Sequence, residues 1–344
     1  MKSFLLPLLL LLAGLVPAAA AEAPVINLGV INLVSTTPVY IAAEKGYFRD
    51  AGLDVRIEAI ESTGSSMPLL ASNRMQVLVG GVTAAFFNAL QSNLPVILAF
   101  DSASSPVFSD ILVRTDLVGT IKTAADLKGR TIGANAPGAI PVYQLASLLR
   151  TAHLTLDDVT VKYMAMPQMT VALANRALDA ALMSPPLNAL AIQQKVGVHW
   201  IDFDDVVRPL PTVLAAYTTN TDWLAERGDE ARKFFIAVGR GARDYCQAYH
   251  HGSNRGEVED IMMKYKVSRD RTLLDETPWP ARDPNGRLNV ASIEDIQDVF
   301  LSVGVVKQKF PASRLVDGRY ADIVAKANGA FTVENKDSTA AGCR

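Results

Sequence analysis

Residues 42–55 read AAEKGYFRDAGLDV, and this stretch decides how the chain around it folds. Pro38 stands just before it, and because proline is favoured in the first turn of a helix, the pattern predicts a helix over 39–50. Gly52 then ends the helix, since glycine adopts the left-handed conformation of a helix C-terminus at little cost. From Val55 onward apolar and polar residues alternate, which is typical of a β-strand. The segment therefore predicts a helix that is followed directly by a strand.

The same alternation of short apolar runs with helical patterns extends along the chain. The predicted strands cover 25–31, 55–60, 77–80, 95–100, 111–114, 131–134, 159–165, 180–183, 198–203 and 213–218. The predicted helices cover 39–50, 67–72, 84–91, 140–151, 171–175 and 187–195, and the pattern from Asp222 is mainly helical. Strands that alternate with helices predict parallel sheets with helices on both faces. The expected fold class is therefore α/β, with two doubly wound α/β lobes joined by a two-crossing hinge.

A short internal repeat also favours two lobes. LLASNRMQ at 69–76 leads into the predicted strand at 77–80, and ALANRALD at 172–179 leads into the strand at 180–183. Each unit ends a helix, turns, and begins a buried strand. The predicted domain limits are 22–104 with 214–331 for lobe 1, 105–213 for lobe 2, hinge crossings near 101–110 and 208–216, and a disordered polar tail over 332–344.

The first residues of the chain have the pattern of an export signal. Lys2 precedes an apolar run over 4–16, and the small residues Ala18–Ala21 follow it. This pattern predicts a secretory signal peptide over 1–21. The apolar run is too short to span the ~30 Å hydrocarbon core of a bilayer. We therefore expect the mature protein to act outside the cytoplasm.

Composition limits the classes of partner and site. The 344 residues carry a formal net charge of −2, so the chain lacks the excess of positive charge that binds a nucleic acid. Cys246 and Cys343 are the two cysteines. Export would permit a bridge between them, but the favoured interpretation is a buried, unpaired Cys246 in a helix and a Cys343 in the disordered tail. Two cysteines alone do not form a zinc or iron–sulfur site, and we expect neither a metal nor a cofactor.

Three separated motifs resemble one known family. The AAEKGYFRDAGLDV stretch, ADLKGRTIG at 125–133 and ALANRALDA at 172–180 are similar, in this order, to hallmarks of periplasmic substrate-binding proteins of ABC importers. The type is that of the sulfonate/nitrate/taurine-binding and thiamine-pyrimidine-precursor-binding (NMT1/THI5-like) proteins, and the resemblance covers roughly 25–325. It implies a type II periplasmic binding protein fold, a small-molecule ligand, a periplasmic location, a monomeric state, and delivery of the ligand to the membrane permease of an ABC importer.

The sequence departs from that family pattern at several positions. Asn73 and Arg176 stand at turns where the family usually has glycine, and Gln76 stands where it has aspartate. Asparagine accepts the left-handed conformation, so Asn73 suits its turn. Arginine suits it less, and we expect the neighbouring Asn175 to take the strained conformation instead. Ser184 stands where the family often has an acidic residue before a proline. We therefore do not expect a contact with a cationic group of a ligand at this position.

The loops that follow the predicted strands are the expected binding site. In a doubly wound sheet ligands bind outside the carboxyl ends of the strands, where the free N–H groups of helix starts favour an anion or a polar oxygen. The candidate ligand-binding residues are Ser35, Thr36, Thr37, Tyr40, Thr63, Gly64, Ser65, Ser66, Gly81, Thr83, Asn135, Gly138, Gln168 and Ser184. The loop over 63–66 leads this set, and no Arg or Lys stands in these loops. The alternative is that the Ser and Thr residues are only helix N-caps.

The sequence favours binding over catalysis. The four histidines lie outside the strand-end loops, and no Gly-x-Ser-x-Gly, His-Glu-x-x-His or Walker motif occurs. Hydroxyl-rich helix starts favour a small organic anion, a sulfonate or a carboxylate, aromatic acids included. A thiamine-related pyrimidine as the ligand, and an enzyme on the same fold, are the alternatives. A ligand that contacts both lobes only in the closed state would shift the population towards closure.

Overall fold

A computed structural model describes residues 23–344, so the predicted signal peptide lies outside the described residues. The strands are β1 (Val25–Val30), β2 (Asp54–Ala59), β3 (Val77–Gly81), β4 (Val96–Ser104), β5 (Asp110–Arg114), β6 (Thr131–Ala134), β7 (Thr160–Tyr163), β8 (Ala180–Met183), β9 (Gly197–Asp202) and β10 (Val213–Asn220). The helices of the first part of the chain are α1 (Thr37–Glu44), α2 (Tyr47–Asp50), α3 (Thr63–Ala71), α4 (Ala84–Gln91), α5 (Ile140–Thr151), α6 (Met166–Ala174), α7 (Leu187–Gln193) and α8 (Phe203–Val206). The helices after β10 are α9 (Thr221–Glu226), α10 (Gly228–Tyr249), α11 (Arg255–Lys264), α12 (Arg271–Glu276), α13 (Val290–Ser302), α14 (Ala312–Leu315) and α15 (Arg319–Asn328).

Two five-stranded sheets form the centres of the two lobes, with the strand orders β2-β1-β3-β10-β4 and β7-β6-β8-β5-β9. The two-lobed α/β fold predicted from the sequence is confirmed, but the sheets are mixed rather than all parallel. β10 runs antiparallel to β3 and β4, and β5 runs antiparallel to β8 and β9. The physical reason is the path of the chain, because β10 and β5 are the strands through which it enters each sheet from the other lobe.

The internal repeat of the sequence corresponds to an equivalent set of hydrogen bonds in the two lobes. In lobe 1 the Asn27 N–H donates to Gln76 Oε1 at 2.8 Å, and in lobe 2 the Thr131 N–H donates to Asp179 Oδ2 at 2.9 Å. In each case a polar side chain just before the central strand satisfies a backbone donor of the neighbouring strand. Gln76 therefore does in lobe 1 what the aspartate does in lobe 2.

The turns inside the repeat adopt the left-handed conformation. Asn73 has a φ of 56° and Arg176 a φ of 59°. The expectation that Asn175 would take this conformation in place of Arg176 is wrong, since Asn175 ends α6 with a φ of −86°. The exposed Arg176 adopts a conformation that costs an L-residue about 1–2 kcal/mol, because the chain must turn within a few residues between the end of α6 and the buried strand β8, which begins at Ala180.

The helix predicted over 39–50 is two helices. Gly46 adopts a φ of 73° and separates α1 from α2. The break turns the chain so that Tyr47 donates a hydrogen bond to Asp244 Oδ2 at 2.6 Å, and Phe48 stacks on Phe234 with the ring centroids 5.5 Å apart. The segment that decides the fold is thereby tied to α10, which comes much later in the chain.

Aromatic side chains of α10 fill the core of lobe 1. Phe235 packs against Phe100 of β4, with ring centroids 5.5 Å apart, and against Tyr320 of α15, at 4.4 Å. Each buried aromatic ring removes a large apolar area from water, so these contacts hold the C-terminal helices onto the first sheet. Within residues 23–344 none of the helices has the length and apolar character needed to cross a bilayer.

The tail over 332–344, expected to be disordered, lies against α10 instead. Cys343 is bonded to Cys246, which corrects the interpretation that the two cysteines are unpaired. The Tyr249 hydroxyl donates to the Ala341 carbonyl at 2.7 Å, and His250 Nδ1 lies 2.7 Å from Ser338 Oγ. The tail therefore supplies hydrogen-bond partners for polar groups at the end of α10, which composition alone did not indicate.

The substitution Cys343→Ser tests the role of this disulfide. It opens a loop with a sequence separation of 97 residues, and the lost restriction of the unfolded chain should lower the free energy of unfolding by about 2–4 kcal/mol. Urea denaturation followed by circular dichroism measures this difference. A reductant should destabilise the wild-type protein to the same extent and leave Cys343→Ser unchanged. Equal stability of the oxidised and reduced wild-type protein would contradict the assignment.

Candidate functional site

A cavity of about 570 Å³ lies between the two lobes, at the ends of the parallel strands. Its walls come from the first turns of helices in both lobes. From lobe 1 they are the starts of α3 and α4, and from lobe 2 the starts of α5, α6 and α7. This arrangement concentrates unpaired backbone N–H groups and positive ends of helix dipoles around one space.

The structure brings part of the sequence-predicted set together at this cavity. The predicted residues that line it are Ser35, Thr63, Ser65, Gly81, Thr83, Asn135 and Ser184. They follow five different strands, three in lobe 1 and two in lobe 2, and the fold places them around a common volume. That any of them contacts a ligand stays a prediction.

Other predicted residues have structural roles outside the lining. The Thr36 hydroxyl donates to the carbonyls of Ile31 and Leu33, at 2.8 Å each. The Tyr40 hydroxyl donates to Asn32 Oδ1 at 3.2 Å. Thr37, Ser66 and Gly138 are buried away from the cavity, Gly64 faces the start of α4 at Ala85, and Gln168 is exposed to solvent.

The leading loop over 63–66 is the first turn of a helix rather than a loop. The Ser62 hydroxyl accepts a hydrogen bond from the Ser65 N–H at 3.0 Å, so Ser62 is the N-cap of α3. The Thr63 hydroxyl instead donates to the Gly81 carbonyl at 2.8 Å, which fixes the start of α3 to the end of β3. The first-turn N–H groups of Thr63 and Gly64 have no acceptor within the helix, as in any α-helix.

The two lobes touch where α4 and α5 begin. The Ala84 N–H donates to the Gly138 carbonyl at 2.7 Å. Deeper along α5, the Tyr143 hydroxyl donates to Asp295 Oδ2 of α13 at 2.8 Å, and burial, together with this carboxylate, raises the pKa of Tyr143. The two chain crossings are 105–109 and 207–212. The first is shorter than predicted because β4 continues to Ser104, and the second because β10 begins at Val213.

Several residues of the lining were not predicted from the sequence. Gln144 lies one turn into α5, and Ser109 lies in the first crossing, 3.1 Å from Ser184 Oγ. Glu61 lies at the exposed rim just before the N-cap of α3. For Gln144 a signal was available, since a polar residue in an otherwise apolar helix start is uncommon. The position of Ser109 depends on how the crossing bends and has no sequence signal.

Arg282 places a positive charge directly behind the cavity wall. The residue is 2% exposed, it donates from Nη2 to the Ser35 carbonyl at 2.8 Å, and it lies over the Tyr245 ring. Burial raises the pKa of the neighbouring Asp101 to about 7, although hydrogen bonds to this carboxyl and the charge of Arg282 act in the opposite direction. Because burial disfavours the charged form of Asp101, this carboxyl compensates the charge of Arg282 less than an exposed aspartate would. The potential in the cavity is therefore more favourable for an anion than the lining alone suggests.

The lining itself carries little chemistry for catalysis or metal binding. Among the residues described as lining the cavity there is no Arg, Lys, His or Cys, and Glu61 is the one carboxylate. Nowhere in residues 23–344 do three or more His, Cys, Asp or Glu side chains come together as a metal site would require. The hydroxyl, amide and backbone groups of the lining can bind and orient a ligand.

Two α/β lobes around a cleft of helix starts define the class of the fold, and sequence comparison identifies the family. The sequence profile of the NMT1/THI5-like family matches residues 34–248. The chain belongs to this family. The nitrate/nitrite binding protein NrtA of Nostoc sp. (strain PCC 7120 / SAG 25.82 / UTEX 2576) is 25% identical over 258 residues, which cover 67% of this chain. The match spans 57% of the length of that relative.

Solved structures of binding proteins share the fold. The periplasmic nitrate-binding protein NrtA of Synechocystis PCC 6803 superposes with a TM-score of 0.71 at 14% identity, covering 94% of this chain and 92% of that one. The alkanesulfonate-binding protein SsuA of Xanthomonas axonopodis pv. citri, bound to MOPS, has a TM-score of 0.69 at 15% identity, with coverages of 87% and 100%. The desulfurization enzyme DSZB also has this fold, with a TM-score of 0.64 at 14% identity and coverages of 88% and 100%.

The substitution Asp101→Asn tests the electrostatics behind the cavity. An aspartate in an unfolded chain has a pKa of about 3.9, whereas burial raises that of Asp101 to about 7. Between these values the folded protein retains a proton that the unfolded chain has lost, so the stability contributed by this group falls as pH rises from about 4 to about 7. The melting temperature of Asp101→Asn relative to wild type should therefore increase from pH 5 to pH 8.

Scanning calorimetry at these pH values makes the comparison. The exposed Asp229→Asn variant is the control and should follow the wild-type profile. Parallel pH profiles of wild type and Asp101→Asn would contradict the raised pKa.

Proposed function

We propose that this protein is the extracytoplasmic solute-binding component of an ABC importer, and that it captures a small organic anion in the interlobe cleft. The observation that carries the proposal is a cavity of about 570 Å³ walled by helix starts from both lobes. Membership of the NMT1/THI5-like family and the fold shared with NrtA and SsuA support it. The predicted signal peptide over 1–21 supports a location in the periplasm.

The size and lining of the cavity favour an organic ligand over a bare inorganic anion. Pockets of about 300–1,000 Å³ suit organic molecules, and most of such a volume would be left unfilled by an ion as small as nitrate. Apolar side chains from both lobes line the cavity, among them Leu33 and Leu214 from lobe 1 and Ile140 and Met166 from lobe 2. An apolar ligand body would release water from these side chains.

The polar groups favour an anionic head group over a pyrimidine. No Phe, Tyr or Trp is among the described residues of the lining, so a flat heterocycle would lack an aromatic stacking partner. First-turn N–H groups, hydroxyls and the charge of Arg282 behind Ser35 suit a carboxylate or a sulfonate. The lining has no nucleophile paired with a base, and we therefore propose capture rather than turnover.

Capture would be coupled to closure of the cleft. Ligand groups that bind helix starts of both lobes are satisfied only when the lobes are together, so binding stabilises the closed state. The closed monomer with its ligand would then dock on the membrane permease of the importer. The monomeric state and the permease partner are part of the proposal.

The substitution Ala136→Trp tests the location of the binding site. Ala136 lies in a half-buried loop of the cavity wall, so an indole at this position should fill the space that the ligand occupies. Calorimetric titration with C4–C8 carboxylates and sulfonates of aliphatic and aromatic type identifies a ligand for the wild-type protein. The affinity of Ala136→Trp for this ligand should be about a hundredfold lower or more, because no room for the ligand remains in the cavity.

Ala152→Trp is the matched control, since Ala152 is a half-buried alanine at the opposite end of α5. This variant should bind as the wild type does. Small-angle scattering should also show a smaller radius of gyration when ligand is added to the wild type. Binding that survives Ala136→Trp would place the site elsewhere, and a wild type that binds none of these anions would contradict the proposed ligand class.

A further inference from the structure

Two hydrogen-bond donors in the cavity wall have no acceptor. Thr83 is 6% exposed and Gln144 is 2% exposed, and both line the cavity. Thr83 Oγ1 and Gln144 Nε2 make no hydrogen bond with any group in the described part of the chain. A buried donor without an acceptor costs about 1–3 kcal/mol, so a fold that keeps two of them in one cavity wall points to an acceptor supplied by a ligand.

The two donors belong to opposite lobes, at the place where the lobes touch. Thr83 immediately precedes Ala84, whose N–H donates to the Gly138 carbonyl. A Cβ on Gly81 would lie 3.2 Å from Ile140 Cγ1, so the end of β3 is in contact with the first turn of α5. Gln144 follows one turn later in the same helix. The pair therefore lies at the end of the cleft where α4 and α5 begin.

Neither donor takes part in the hydrogen bonds of the local structure. Thr83 is the N-cap residue of α4, but its hydroxyl accepts no hydrogen bond from the helix. Gln144 contributes nothing to the neighbouring link between the lobes, in which Tyr143 bonds to Asp295. A third buried polar atom of this wall, Asn135 Oδ1, is also without a partner, and it is an acceptor.

We propose that the ligand of this cleft is a carboxylate, with one oxygen bound by Thr83 Oγ1 of lobe 1 and the other by Gln144 Nε2 of lobe 2. This inference rests on the proposed function and narrows its ligand class. Two neutral donors match the two oxygens of a carboxylate in number, whereas the third unpartnered side-chain atom of this wall, Asn135 Oδ1, is an acceptor and offers nothing to the third oxygen of a sulfonate. A doubly charged head group is disfavoured because the lining contains no Arg or Lys among its described residues.

The experiment compares ligands that share a body and differ in the head group. Phenylacetate, phenylmethanesulfonate and phenylacetamide form one set, and heptanoate, hexanesulfonate and heptanamide form a second. Isothermal titration should show that the wild type binds the carboxylate of the better set about tenfold more tightly than the sulfonate or the amide. Thr83→Val and Gln144→Met keep the side-chain shapes and remove the donors, and each should weaken carboxylate binding about tenfold or more, since a hydrogen bond to a charged group is lost.

Thr170→Val is the matched control. Thr170 is a threonine with a buried hydroxyl that has no partner in the described chain, but it lies outside the cavity lining. Its substitution should leave the affinity within about twofold. The melting temperatures of the ligand-free Thr83→Val and Gln144→Met proteins should not fall, because each change removes an unsatisfied buried donor.

The outcomes separate this inference from the proposed function. The carboxylate assignment would be overturned if the wild type bound the sulfonate as tightly as the carboxylate or more tightly. It would also be overturned if Thr83→Val and Gln144→Met both bound the carboxylate with the affinity of the wild type. Either result would leave anion capture intact. A large loss of melting temperature in the ligand-free variants would show that the two side chains have a structural role instead. A wild type that binds neither carboxylates nor sulfonates of either set would contradict both proposals.

Discussion

One strand in each sheet runs against its neighbours, and the geometry of the cleft depends on these two strands. β10 lies antiparallel between β3 and β4, and β5 lies antiparallel between β8 and β9. Each receives the chain from the other lobe through a crossing of five or six residues, 105–109 or 207–212. Short double crossings next to both sheets keep the carboxyl ends of the parallel strands facing each other. Because helices begin at those ends, the starts of five helices surround a single cavity.

The chemistry of the cavity follows from that placement. Helix starts provide N–H groups and partial positive charge without a basic side chain, so the wall can be largely apolar and still attract an anion. Arg282 adds charge from behind the wall through its bond to the Ser35 carbonyl, where burial keeps it away from water. In the proposed function, the specific contacts would be left to a few neutral groups such as Thr83 and Gln144. The apolar surface would then select the body of the ligand, and the neutral donors would select its head group.

Local patterns predicted the regular elements well where one strong signal was present. The strands β6 and β8 and the helix α5 have the limits expected from periodicity. The starts of α3 and α6 were expected several residues later, because Thr63 to Ser66 and Met166 to Gln168 read as loops in composition but are first turns in the structure. The break at Gly46 was missed for the opposite reason, since the apolar pattern continues through it, whereas contacts with α10 determine the turn.

The sequence by itself determined the two-lobed α/β class, the family resemblance and the hydroxyl-rich composition of the segments that follow the strands. These features depend on local periodicity and short motifs. Only the tertiary structure decided which of those residues face the cavity. Thr63 and Thr36 both follow a strand, yet Thr63 lines the cavity and Thr36 bonds back to its own turn. The disulfide, the place of Arg282 and the positions of Thr83 and Gln144 on opposite walls of one cavity depend on residues that are far apart in the chain. Such contacts depend on how whole elements pack, and no local pattern contains that information.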